Sequence, residues 1–184
     1  MNQVAVQKLP LAVRVLDRFS GTMVFAAMVV AGFAVAVMIL VNSVDTIGRA
    51  FFAKPLTGAV EITELFLAMS IILAIPYAQR TMAHIEIDIF IRYFPPKLRR
   101  FCSIFTLLIT ACVYGMLLVQ SYEGAVISIK TFEIAAGYLP VPIWVGKVAV
   151  TAGFAIALVE SLKQIIVSTV FGTAFAKDLQ IIPA

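Results

Sequence analysis

The sequence predicts an all-α integral membrane protein with four transmembrane helices. Of its 184 residues, 62% are hydrophobic and only 13% are charged. A water-soluble domain of this size needs more polar surface, so this composition is typical of a membrane protein. A bilayer core about 30 Å thick requires about 20 apolar residues per helix. The chain has four such runs, at residues 20–42, 59–79, 101–120 and 142–162.

The four runs are expected to form a single membrane domain over residues 1–184. The sequence contains no internal repeat, no low-complexity tract and no linker that would divide it. The first run is longer than the apolar region of a signal peptide and lacks a convincing small-x-small cleavage site. We therefore interpret it as a retained membrane anchor.

The distribution of basic residues predicts the orientation of the chain. Lysine and arginine accumulate in cytoplasmic loops. Ten of them lie in the N-terminal arm, the connection between the second and third runs and the C-terminal tail, whereas three lie in the other two connections. Both termini and the central connection are therefore expected in the cytoplasm, against anionic lipid headgroups. A nucleic-acid partner is not expected, because the basic residues are spread over helix ends.

The connection between the second and third runs is the most polar stretch of the chain. It contains the only histidine, His84, together with Glu86 and Asp88. In a helix, His84 and Asp88 would share one stripe with Arg92, because helical residues four apart lie on one face. We expect either a short cytoplasmic interfacial helix here or an extension of the second membrane helix.

Two acids open the second run at a spacing of three residues, Glu61 and Glu64. Acids in a first turn complement the positive end of the helix dipole. Only fifteen residues separate Glu64 from Arg80, so a spanning helix carries this acid below the membrane surface, where an ionisable group indicates a site or an ion pair. A structural or partner contact, helix capping, and ion or proton handling all remain open.

Lys147 lies at a matching depth in the fourth run, about five residues from its start. We expect it to pair with Glu64 or Glu61 or with a partner subunit, with snorkelling to the surface as the alternative. The same run places small residues at every fourth position, and such stripes let membrane helices approach closely. They are Ala149, Gly153, Ala157 and Ser161.

Several classes of function are disfavoured by what the sequence lacks. One histidine cannot provide bis-histidine haem ligation, and no His/Cys set is clustered for a metal. The sequence also has no nucleophile–base constellation and no glycine-rich phosphate loop. We therefore expect no enzyme activity, no cofactor, and no catalytic, substrate-binding or metal-binding residue.

The segment from Gly58 to Phe90 resembles the signature of the small membrane subunit (the Q subunit, DctQ-like) of TRAP (tripartite ATP-independent periplasmic) transporters. In that family, a Gly-x-x-Glu opening and an apolar spacer precede Arg-x-x-x-His-Ile-x-(Val/Ile)-Asp. The matching residues here are Gly58, Glu61, Arg80, His84, Ile85, Ile87 and Asp88. The resemblance implies that Arg80, His84 and Asp88 fix a cytoplasmic elbow or contact the large subunit.

The resemblance further implies a scaffold role in a sodium-coupled importer of the bacterial inner membrane. The implied partners are a large elevator-type membrane subunit, which carries the substrate and sodium sites, and a periplasmic protein that binds a carboxylate substrate. One alternative is a homodimeric four-helix drug exporter. That class requires a membrane-embedded glutamate in the first helix, and residues 20–42 contain no acid. A lipid-processing enzyme is a third possibility, disfavoured by the missing catalytic cluster.

Overall fold

The computed structural model describes residues 11–81, 95–135, 137 and 140–171, and its secondary structure consists of four α-helices. Each contains a segment long and apolar enough to cross a membrane, which confirms the predicted fold class. The expected interfacial helix lies in the 82–94 segment, outside the described residues. The helices are α1 (Leu11–Phe52), α2 (Ala59–Arg80), α3 (Pro96–Thr131) and α4 (Ile143–Phe171).

A tight connection joins α1 to α2. The Asp45 carboxylate accepts hydrogen bonds from the Arg49 side chain and from the Leu56 backbone N–H, both at 2.8 Å, and so fastens the connection to α1. Gly58, the N-cap of α2, has φ of 85°, a left-handed conformation that glycine adopts without steric cost. This geometry gives a physical reason for the glycine that precedes the acids of α2.

The connection between α3 and α4 begins after Phe132, which ends α3 in a left-handed conformation. The backbone then pairs with itself, because Ala135 N–H donates to Val141 O at 2.9 Å and Ile143 N–H donates to Glu133 O at 3.1 Å. These bonds hold Glu133 close to the start of α4. At its other end, α3 begins with Pro96. Proline lacks a backbone N–H, but the first N–H groups of a helix have no partner within the helix, so no helical hydrogen bond is lost at this position.

The two middle elements of the bundle are α2 and α4. They pack on each other, α1 packs mainly on α2, and α3 packs mainly on α4. One core cluster joins Ala27 and Ala31 of α1 to Leu73 of α2. A second joins Tyr114 of α3 to Phe154 and Ala157 of α4.

The antiparallel helices give the bundle two distinct ends. We call the end where α1 begins and α4 finishes the terminal end; the starts of α2 and α4 lie at the opposite, hairpin end.

With 42 residues, α1 is about 63 Å long, roughly twice the thickness of a bilayer core. Part of α1 therefore extends beyond the hydrocarbon. Large apolar side chains such as Phe33 and Met116 are exposed on α1 and α3, where they can contact lipid.

Candidate functional sites at the two ends of the bundle

Charged side chains from three helices meet inside the terminal end. This terminal network consists of Asp17 and Ser20 from α1, Arg80 from α2, and Glu160 and Lys163 from α4. The Asp17 carboxylate accepts hydrogen bonds from Lys163 Nζ at 2.9 Å and from the Arg80 guanidinium at 3.2 Å. The network therefore bridges the first, second and fourth helices through one carboxylate.

Glu160 is the most deeply placed member of the terminal network. Its side chain is 0% exposed, and the carboxylate lies 2.6 Å from Lys163 Nζ and 3.7 Å from the nearest guanidinium nitrogen of Arg80. Neither carboxylate oxygen accepts a hydrogen bond of good geometry, so these contacts are ion pairs. A buried carboxylate requires compensating charge of this kind, since transfer from water costs several kcal/mol for an unpaired ion.

Small and neutral polar groups complete the terminal network. The Ser20 hydroxyl accepts hydrogen bonds from Lys163 at 3.2 Å and from Arg80 at 3.3 Å. A Cβ atom added to Gly21 would lie 2.9 Å from an Arg80 nitrogen, so this glycine leaves room for the guanidinium. Two acids and two bases make the network formally neutral, which suits burial.

A pair of buried amides lies next to the terminal network. The side chain of Gln79 donates to the side-chain oxygen of Gln164 at 2.9 Å, and Gln164 donates to the backbone carbonyl of Gln79 at 2.8 Å. Reciprocal bonds of this kind satisfy polar groups that would be costly to bury alone. They connect α2 and α4 beside the charges.

The hairpin end contains a cavity of about 410 Å³, which we call the hairpin cavity. Each of α2, α3 and α4 contributes residues spaced three or four apart, so each presents one face to the space. The α3–α4 connection contributes two more residues. The lining residues are Glu61, Glu64, Leu65, Ala68, Ser121, Gly124, Ala135, Val141, Ile143, Gly146, Lys147 and Val150.

Lys147 lines the hairpin cavity and forms an ion pair with Glu133, at 2.5 Å between Nζ and Oε2. In the structure, the acid that pairs with Lys147 thus comes from the α3–α4 connection, whereas the sequence led us to expect Glu64 or Glu61. The physical reason is the backbone pairing of that connection, which brings Glu133 to the start of α4. The hydrogen bond from Lys147 lowers the pKa of Glu133 below its ordinary value of 4.5.

The two acids of α2 occupy different positions in the hairpin cavity. Glu61 lies against the α3–α4 connection, because a Cβ atom added to Gly137 would overlap its carboxylate. Glu64 is exposed, and it has no ion-pair partner within residues 11–81, 95–135, 137 and 140–171. Glu64 is thus the acid available to a group from outside the chain.

The remaining residues singled out from the sequence fall in separate places. Arg80 belongs to the terminal network, whereas His84 and Asp88 lie outside the described residues. Gly153 of the small-residue stripe faces Ile72, whose carbonyl oxygen would lie 3.0 Å from an added Cβ atom, so α2 and α4 approach closely there. Ala149 contacts the first core cluster, and Ala157 and Ser161 are fully buried.

Sequence reasoning missed Glu160, Lys163 and Asp17 as members of a site. A usable signal was present, because Glu160 lies within the expected fourth run and Lys163 follows it by three residues, on the same helical face. Charge inside an apolar run indicates a partner. Within the described parts of the chain, no three His, Cys, Asp or Glu residues are arranged to hold a metal ion.

Comparison with known proteins identifies the family. The family model for the DctQ component of tripartite ATP-independent periplasmic transporters matches residues 38–170, well over half of the chain. This family comprises transporter components rather than enzymes, and the match does not favour the drug-exporter alternative. No curated protein and no solved structure matches the chain. The chain belongs to the DctQ family and is a multi-pass small membrane subunit of a tripartite ATP-independent periplasmic transporter.

Proposed function

We propose that this chain is the scaffold subunit of a sodium-coupled importer for a carboxylate substrate. In this role it stabilises the large elevator-type subunit and carries no catalytic or substrate-binding site of its own. Family membership supports its place in a tripartite transporter. The sodium coupling and the carboxylate class rest on the resemblance of the Gly58–Phe90 segment.

The terminal network is the observation that carries the scaffold role. Its charges are satisfied by one another, and they fasten α1 and α2 to α4. An ion or substrate site would instead offer polar groups to a ligand that enters and leaves. A network that fixes three helices in one arrangement is suited to the stationary part of an elevator-type transporter.

The proposed partners are the large membrane subunit and a periplasmic substrate-binding protein that docks on the assembled complex. The exposed apolar faces of α1 and α3 offer surfaces that a membrane subunit can cover in place of lipid. Arg80, His84 and Asp88 are proposed to fix the cytoplasmic elbow or to contact the large subunit. Membrane lipids cover the faces that remain.

A reconstitution experiment tests the scaffold role. Proteoliposomes with the large subunit, the binding protein and a sodium gradient should accumulate a candidate carboxylate only when this chain is also present. Liposomes with this chain and the binding protein but without the large subunit should show no uptake. Robust uptake in those liposomes would contradict the proposal, because it would place the transport pathway in this chain.

We propose that the protein lies in the bacterial inner membrane with both termini in the cytoplasm. The hairpin end then faces the periplasm, which agrees with its few basic residues. In a variant without Cys102 and Cys112, single cysteines at positions 54 and 130 should react with an impermeant thiol reagent in cells with permeabilised outer membranes. A cysteine at position 97 should react only after the inner membrane is opened. Labelling at 97 in intact spheroplasts would reverse the orientation.

A further inference from the structure

The hairpin cavity lies at a boundary of the hydrocarbon region. With 22 residues, α2 is about 33 Å long and matches the bilayer core, so its first two turns lie near one surface. Those turns carry Glu61 and Glu64, and the second turn of α4 carries Lys147. The polar part of the cavity is therefore at the level of lipid headgroups.

The polarity of the hairpin cavity changes with depth. Its charged residues lie close to the starts of α2 and α4, and the lining residues that follow along both helices are apolar. The deeper wall includes Leu65, Ala68 and Val150. A ligand that fits this wall has a polar end at the membrane surface and an apolar end inside the bilayer.

The cavity has room and an entrance for such a ligand. The lining residues enclose the cavity only in part, so a ligand can enter it from outside. A Cβ atom added to Gly124 would meet no atom within 4 Å, so this part of α3 borders open space. The volume of about 410 Å³ is within the usual range for small-molecule sites.

The charge of the hairpin cavity favours a cationic group. The ammonium of Lys147 is shared with Glu133, which leaves the Glu64 carboxylate without a cation among the described residues. A carboxylate near hydrocarbon is stabilised by a charge-assisted hydrogen bond, which is about twice as strong as a neutral one. A ligand with an N–H-bearing cation supplies that bond.

We propose that the hairpin cavity binds a phospholipid with a primary ammonium headgroup, of the phosphatidylethanolamine type. The ammonium donates to Glu64, the phosphate lies on the Lys147 side, and an acyl chain follows the apolar wall. A choline headgroup has no N–H donor, and an anionic glycerol headgroup has no cation. A lysine or arginine from another subunit would satisfy Glu64 but would leave the apolar wall uncovered. The site does not depend on which end faces the periplasm.

Lipid titration followed by native mass spectrometry tests this proposal. The full chain, purified with its large subunit, is offered phosphatidylethanolamine and phosphatidylcholine with identical acyl chains. We expect about tenfold tighter binding of the ethanolamine lipid, equivalent to about 1.4 kcal/mol. Glu64→Gln should reduce this preference to less than about twofold. Glu123→Gln, which changes an exposed acid of α3 outside the cavity, should preserve it. Equal binding of the two lipids, or an unchanged preference in Glu64→Gln, would overturn the proposal.

A pair of glycine substitutions tests the location independently. Gly124→Leu places a side chain in the cavity and should abolish the tight lipid adduct. Gly115→Leu is the matched control, because Gly115 lies on the same helix, also borders open space and does not line the cavity. Retention of the adduct in Gly124→Leu would refute the site. A photo-reactive residue at position 124 should crosslink to lipid, and crosslinks to the large subunit instead would show that a protein side chain occupies the cavity.

Discussion

Replacing Glu160 with glutamine should destabilise the protein by about 3 kcal/mol. Removal of one partner from a buried ion pair typically costs about 3–5 kcal/mol, because the other charge stays buried without compensation. Glu160 is 0% exposed and its partner Lys163 is 5% exposed, so solvent cannot take over the lost contact. Because Lys163 keeps its bond to Asp17, the expected loss of stability lies at the lower end of this range. Glutamine preserves the shape of the side chain, so the effect reports on charge.

The matched control is Glu133→Gln at the hairpin end. Glu133 also pairs with a lysine, but the side chains of that pair are 40% and 38% exposed. Water can solvate both groups when the pair is lost, and the cost should be much smaller. Unfolding of the purified chain in mixed micelles with increasing SDS can be followed by the fluorescence of Trp144, the only tryptophan.

A double-mutant cycle with Lys163→Met separates the pair energy from general damage to the helix. A coupling above about 0.5 kcal/mol between the two substitutions indicates direct interaction. Equal destabilisation by Glu160→Gln and Glu133→Gln would refute the reasoning, since burial would then make no difference. Additive effects of the two substitutions would show that Glu160 and Lys163 do not stabilise the protein through a direct interaction.

Two further predictions follow from the packing and from the ion pair at the hairpin end. Gly153→Ala should cost about 1–3 kcal/mol, because the added Cβ atom would lie 2.8 Å from a methyl carbon of Ile72. Gly115→Ala, with open space around it, should be neutral or stabilising by up to about 1 kcal/mol. Thermal unfolding of the two variants checks this order of stability. A Gly115→Ala variant less stable than Gly153→Ala would contradict the close approach of α2 and α4 at Gly153. The pair of Glu133 with Lys147 should stabilise the protein above pH 4.5 and lose this effect as the pH falls through the lowered pKa of Glu133. The stability difference between wild type and Glu133→Gln should shrink accordingly below pH 4.5, and a difference that grows on acidification would reject the assignment.

The number of helices could be predicted from the sequence, because hydropathy and length are local properties. The start of α2 was also predictable, since Gly58 precedes the first apolar turn. The ends of α1 and α3 were not, and both helices continue about ten residues beyond the expected runs 20–42 and 101–120. Hydropathy detects only the part of a helix that lies in the hydrocarbon core of the bilayer. The helix itself can continue into water, because its backbone hydrogen bonds do not require an apolar environment.

The contacts of the candidate sites were less predictable than the helices. The sequence predicted an acidic partner for Lys147, but the choice of Glu133 depends on how the α3–α4 connection folds back on itself. The proximity of Glu160 and Lys163 could be inferred from their spacing. The contact of Lys163 with Asp17 could not, because it joins residues 146 positions apart and depends on how α1 docks against α4.

The arrangement of charges in the terminal network has a consequence for biogenesis. The first two helices carry Asp17 and Arg80, which bond each other at 3.2 Å, and α4 carries Glu160 and Lys163, which pair at 2.6 Å. Each helical hairpin thus brings one acid and one base of the terminal network, and these two charges can pair within the hairpin before the two hairpins meet. The contacts of Lys163 with Asp17 and of Arg80 with Glu160 form only when the two hairpins meet. The same four charges can thus pair first within each hairpin and then across the two hairpins, so that none of them has to be buried without a partner during assembly.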